Sequence, residues 1–222
     1  MADSFFGFDV ERAFDYENGF YLTSSLSRVG KLLGQYEIYK RITGLPGEVV
    51  ECGVYKGASL LRLLSFRELL EAPDSRKVIA FDIFGRFPRT NDRDDNQWLE
   101  GFEREGGDGI PAAELERVLA RKGFRNTELV AGDINQTVPA YVESHGHLRI
   151  AFLHIDVDCY EPTATALEHL FERVVPGGVV VFDDYGRVAG ASRAVDEFLR
   201  RHPHPLEKPS ICHIPAFIVK RG

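Results

Sequence analysis

The chain has 222 residues, 44% of them hydrophobic and 27% charged, enough to bury a full core in one undivided α/β domain. Its formal net charge of −7 argues against a surface that tracks phosphates, because nonspecific nucleic-acid binding rests on basic patches. No apolar run approaches the roughly 20 residues of a membrane span, and the start Met-Ala-Asp-Ser-Phe-Phe lacks the basic and apolar regions of a signal peptide, so the expectation is a cytoplasmic protein with a small-molecule partner.

Residues 1–47 are rich in aromatics (Phe5, Phe6, Phe8, Phe14, Tyr16, Phe20, Tyr21, Tyr36, Tyr39), and Leu26, Val29, Leu32 and Leu33 have helical spacing. They read as an N-terminal helical cap, with its aromatics as core or as a homodimer surface. Residues 48–222 then alternate short apolar runs with helical patterns. Strands are expected at Glu48 to Val54, Val78 to Ile83, Thr127 to Ala131, Ile150 to Ile155, Val179 to Phe182 and Ala216 to Val219. Helices are expected at Ser59 to Leu70, Ala112 to Arg121, Val138 to Glu143, Thr163 to Arg173 and Ala191 to Arg200. The alternation predicts a doubly wound α/β fold of parallel strands joined by right-handed crossovers, with helices on both faces. The segment from Gly85 to Ile110 is long for a connection and reads either as a lid or as a surface excursion. Cys52, Cys159 and Cys212 are odd in number and lack CxxC spacing, so they read as reduced.

In an open parallel sheet, ligands bind at the carboxyl ends of the strands. The first of these strands ends in Glu51-Cys52-Gly53-Val54-Tyr55-Lys56-Gly57-Ala58-Ser59. Gly53 and Gly57 allow a sharp turn and a close ligand approach, and Glu51 puts a carboxylate beside the loop. The pattern is neither GxGxxG nor a P-loop, which argues against dinucleotides and nucleoside triphosphates. Asp82, ending the second strand, suits a ribose diol, and Asp133, after the third, suits an exocyclic amine. A nucleoside with an amino-acid tail, S-adenosylmethionine, combines these features. Asp156 and Asp158 follow the fourth strand, and Asp183 and Asp184 follow the fifth. Four carboxylates so close repel one another unless a cation sits among them, which predicts a hard divalent metal, magnesium.

These motifs resemble the class I methyltransferases, and within them the macrocin O-methyltransferase family, which methylates sugar hydroxyls of glycosylated natural products. The resemblance is carried by Val50 to Gly57, by Phe81-Asp82-Ile83-Phe84-Gly85-Arg86-Phe87-Pro88 and by His154-Ile155-Asp156-Val157-Asp158-Cys159-Tyr160-Glu161-Pro162-Thr163. Pro176-Gly177-Gly178, Asp183-Asp184-Tyr185-Gly186 and Gly190 to Phe198 complete it. It implies a Rossmann-like sheet, S-adenosylmethionine as donor, and magnesium held by Asp156, Asp183 and Asp184. It further implies Asp158 as general base, Glu51 facing the methionine ammonium, Asp82 on the ribose, and Gly53, Gly57 and Ser59 in the donor loop. The chain departs from the family pattern at Val157, which narrows the acceptor pocket, and at Gly85-Arg86, where Arg86 offers a positive contact to an anionic substrate. A chelating cation orients neighbouring hydroxyls and lowers their pKa, which favours a vicinal diol such as a sugar or a catechol.

Simpler roles compete with these. A strand-end aspartate often caps the next helix, and for Asp133 the two readings are evenly matched. His154 reads as a core histidine pointing away from the neighbours of Asp156. Tyr160 and Tyr185 read as stacking groups or as pocket walls, and Arg193 and Asp196 as a solvated helix face. His202-Pro203-His204 has no carboxylate or cysteine nearby in sequence to complete a metal site. Three other functions stay open: catechol methylation, a hydrolytic or oxygenase-like metalloenzyme on the same scaffold, and a noncatalytic binding protein.

Overall fold

The computed structural model describes residues 4–222. Met1, Ala2 and Asp3, at the start of the expected cap and of the signal-peptide test, lie outside the described residues. A short hairpin comes first, β1 (Ser4–Phe5) against β2 (Phe8–Asp9), followed by α1 (Ala13–Thr23) and α2 (Leu26–Tyr39). The alternating body runs β3 (Glu48–Cys52), α3 (Ala58–Leu70), β4 (Val78–Asp82), α4 (Arg93–Gly106), α5 (Ala112–Lys122), β5 (Thr127–Ala131) and α6 (Ile134–Ser144). It ends with β6 (Ile150–Ile155), α7 (Tyr160–Leu170), β7 (Val174–Phe182), α8 (Ala189–Arg201) and β8 (Ala216–Val219). Among the described residues, no helix is long and apolar enough to cross a membrane.

The six-stranded sheet has the order β5-β4-β3-β6-β7-β8. Each strand sends alternate side chains to opposite faces. Val50, Cys52, Ile79, Phe81, Leu153, Ile155, Val180 and Phe182 pack against α6, α7 and α8. Their neighbours Val49, Val78, Ala80, Phe152, Val179 and Val181 pack against α2, α3 and α5. Both faces are therefore covered, as the apolar runs require. At the opposite edge from the carboxyl ends, the fully buried Arg67 donates to the carbonyls of Arg76, Arg125 and Asn126 and joins α3 to the strand starts.

Three expectations need correction. The last strand, β8, runs antiparallel to β7 rather than parallel. The Gly85 to Ile110 segment holds a helix, α4, capped by Asp92, whose side chain accepts from the backbone N–H groups of Asp94 and Asp95. Pro176-Gly177-Gly178 does not precede β7 but lies within it, at an irregularity in its pairing with β6.

The chain lays down β3, β4 and β5 outward in one direction and then returns to place β6 on the other side of β3. This reversal opens a crevice between β3 and β6, where ligands bind in such sheets. Register decides what meets there. Cys52 pairs with Ile155, and Ile155 pairs with Phe182, so Gly53, Asp156 and Asp183 leave three adjacent strands at one level.

Candidate active site

A cavity of about 990 Å³ occupies the crevice. Gly53, Ser59, Asp82 and Asp133 line it together with Asp156, Asp158, Asp183 and Asp184. Gly53 has φ +90°, and a Cβ there would stand 1.7 Å from the carbonyl oxygen of Asp156, so the close approach that requires glycine is that of β6's own backbone. Gly57, at φ +83°, is the N-cap of α3 and does not line the cavity. Asp82 accepts from the backbone N–H groups of Val54, Tyr55 and Phe84 at 2.6, 3.0 and 2.6 Å, shaping the loop after β3 from the cavity wall. Asp133 caps α6 by accepting from Asn135 N–H, and it also lines the cavity.

Glu51 does not line the cavity. It is 0% exposed, lies behind the cavity wall, and its Oε1 is 2.9 Å from Nδ1 of His154, its register partner on β6. Its other oxygen, Oε2, is buried without a hydrogen-bond partner. The expectation for His154 is also corrected: residues two apart on a strand share a face, so His154 points to the same side as Asp156. Its Nε2 lies 3.5 Å from Asp183 Oδ1, and both of these buried atoms lack a hydrogen-bond partner. Single ligand atoms of His154, Asp156 and Asp183 fall within 4.8 Å of one another, close enough to hold a metal ion.

The electrostatics of this centre are dominated by its buried carboxylates. Burial, and then the charge of Asp183, push Asp156 up to about 8. Burial likewise raises Asp158, and it raises Asp184 strongly, with Asp156, Asp158 and Asp183 adding to the effect. Asp183 goes the other way: burial acts to raise it, but His154 and Lys31 outweigh burial and hold it down at about 2. His154 itself is raised to about 10, because Asp183 and Glu51 overcome its burial. Three carboxylates that resist ionisation beside orphaned polar atoms fit a hard divalent ion, which oxygen ligands serve best. His154, backed by Glu51, lies beside Asp183 Oδ1.

Asp158 carries the strain of the site. It sits at φ +60°, uncommon for a residue with a side chain, and its backbone N–H donates to Asp184 Oδ2 at 2.9 Å. Helix α4 comes over it from outside. Asp95, Asp92 and Asn91 anchor that helix through Tyr160 N–H, Arg193 and Glu161. Arg193 and Asp196 lie on an exposed helix face as expected, Arg193 also holding Asp92 and Asp196 accepting from Tyr185 O–H. Tyr160 donates its hydroxyl to Glu197, and neither tyrosine lines the cavity. Val157 lines it as expected, whereas Arg86 turns away to Glu103. Sequence reasoning misses Lys31 on α2, whose ammonium contacts Asp183 Oδ2 across 152 positions of chain. No local pattern announces such a contact.

The family model described as macrocin O-methyltransferase (TylF) matches residues 35–217. The chain is 31% identical over 166 residues to the 8-demethyl-8-(2,3-dimethoxy-alpha-L-rhamnosyl)-tetracenomycin-C 4'-O-methyltransferase of Streptomyces olivaceus, covering 72% of this chain and 60% of that one. It is 29% identical over 167 residues to the mycinamicin III 3''-O-methyltransferase of Micromonospora griseorubida, covering 72% and 63%. It thus spans about three-fifths of the length of the curated relatives it matches. Among solved structures, the calicheamicin methyltransferase CalS11 superposes with a TM-score of 0.77 at 25% identity over 93% of this chain and 84% of that one. The chain belongs to the macrocin O-methyltransferase family.

Proposed function

We propose that this protein transfers the methyl group of S-adenosylmethionine to a hydroxyl of a deoxysugar or sugar-bearing natural product. The observation that carries the reading is one cavity lined both by the loop after β3 and by four aspartates. The named relatives support the substrate class: two act on sugar-bearing metabolites, and CalS11 is described as a TDP-rhamnose 3'-O-methyltransferase.

Gly53 and Ser59 shape the donor's methionine end, and Asp82 and Asp133 stand at the nucleoside end. Glu51 serves from behind through His154. A sulfonium methyl needs little activation, so the protein's task is to align the acceptor oxygen and remove its proton. Asp158 takes that proton as the oxygen bonds to the methyl carbon and the S–CH3 bond breaks, releasing S-adenosylhomocysteine. Burial raises Asp158 and so strengthens it as a base. Asp156, Asp183 and Asp184 would hold magnesium, which supplies a positive charge that orients neighbouring hydroxyls and lowers their pKa.

The test is donor consumption with a panel of rhamnosyl glycosides, TDP-rhamnose and free catechol, in magnesium and in EDTA. Magnesium-dependent turnover of a sugar acceptor is expected. Turnover of catechol alone, or none with any acceptor, would contradict the substrate class.

A further inference from the structure

The acidic centre already has a cation of its own. Lys31 Nζ lies 2.5 Å from Asp183 Oδ2, with its side chain only 16% exposed. Asp156, Asp183 and Asp184 all act on it electrostatically. Asp183 is also one of the residues that could hold a metal ion. A monovalent ammonium therefore stands on the same carboxylate that a divalent ion would draw on. Two cations sharing one buried carboxylate repel each other strongly, since the low-dielectric surroundings screen them little.

The helix that carries Lys31 is held in place. Ile38 and Tyr39 of α2 are buried in the core. A Cβ at Gly34 would stand 2.5 Å from Cys212 Sγ, and one at Gly30 would stand 3.1 Å from the carbonyl oxygen of Ile211, so the segment around residue 211 presses directly on the helix. The four-carbon stem of a lysine, by contrast, swings freely at little cost. Lys31 also lines the main cavity, so there is room for its ammonium to withdraw.

We propose that Lys31 is a placeholder cation: its ammonium neutralises Asp183 in the metal-free protein and must leave that carboxylate for a divalent ion to bind. Lys31 thereby lowers the affinity of the centre for metal and keeps it folded when metal is scarce. The inference rests on the metal centre read above and adds a competitor to it. Linkage makes the competition reciprocal, so removing the ammonium tightens metal binding by the same factor that metal weakens the ion pair.

The experiment is calorimetric titration of the full chain with Mg2+, and separately with Mn2+, for the wild type, Lys31→Met and Lys40→Met. Methionine keeps the length of the stem without its charge. Lys40 lies just after α2, is exposed, and pairs with Glu37, so its replacement reports the effect of net charge alone. Lys31→Met is expected to bind either ion about fivefold or more tightly than both other proteins. Thermal melts in EDTA should show Lys31→Met less stable than the wild type, with added Mg2+ closing the gap. Equal or weaker metal binding by Lys31→Met overturns the placeholder role and leaves the metal centre standing. No binding by any of the three overturns the metal centre and the placeholder together. Should Lys31→Met fail to fold, Lys31→Gln replaces it under the same criteria.

Discussion

The indole N–H of Trp98 donates to Asp158 Oδ1 at 3.2 Å, joining helix α4 to the proposed base. The bond occupies one carboxylate oxygen and fixes the side chain from the α4 side. Trp98→Phe keeps the ring and removes the donor. Turnover is expected to fall about tenfold while donor affinity holds, as for loss of a hydrogen bond to a charged group. Trp98 is the chain's single tryptophan, so Asp158→Asn should also shift the intrinsic emission. Unchanged turnover in Trp98→Phe would show that the bond does not orient the base.

Gly53→Ala should cost about 2–4 kcal/mol in urea unfolding, because the added Cβ meets the backbone of Asp156 at a positive φ. Gly146→Ala, with nothing within 4 Å of its Cβ, should lie within about 0.5 kcal/mol of wild type. Equal stability of the two variants would contradict the packing of β3 against β6.

Without divalent metal, stability should fall as pH rises from about 5 to 8. Asp156 is raised to about 8 against an unfolded value of about 4, so across this window the folded state holds more protons than the unfolded one. Asp158 and Asp184 are shifted in the same direction. His154, raised to about 10, adds stability that is complete below its unfolded value of about 6.5 and is lost as pH climbs towards 10, again the same sign. Asp183 acts in the opposite sense but only in acid, since its stabilisation is lost as pH falls through about 2. Thermal melts in EDTA should show the fall, and Asp156→Asn should flatten it. Equal slopes for the two proteins would mean that Asp156 is not the group responsible.

Strand positions were legible in the sequence because fully buried strands are short apolar runs such as Val-Ile-Ala-Phe, and the family was legible because its motifs sit at the ends of those runs. The Asp156 to Asp184 cluster followed from the same placement. Register was not legible, and register is what sets Glu51 beside His154. Helix α4 was hidden because its sequence is mostly polar, and its anchors Asp92 and Asn91 find partners on α8 and α7. Lys31 was hidden for a similar reason: only the folded chain brings α2 to the end of β7.

The central claim is that this cavity binds S-adenosylmethionine and that Asp158 removes the acceptor proton. The most direct test pairs calorimetric titration with S-adenosylmethionine and methyl transfer to the sugar acceptor panel, for the wild type and Asp158→Asn side by side. Equal donor affinity is predicted, with turnover reduced about 100- to 10,000-fold in the variant. Absence of donor binding in the wild type, or undiminished turnover in Asp158→Asn, would contradict it.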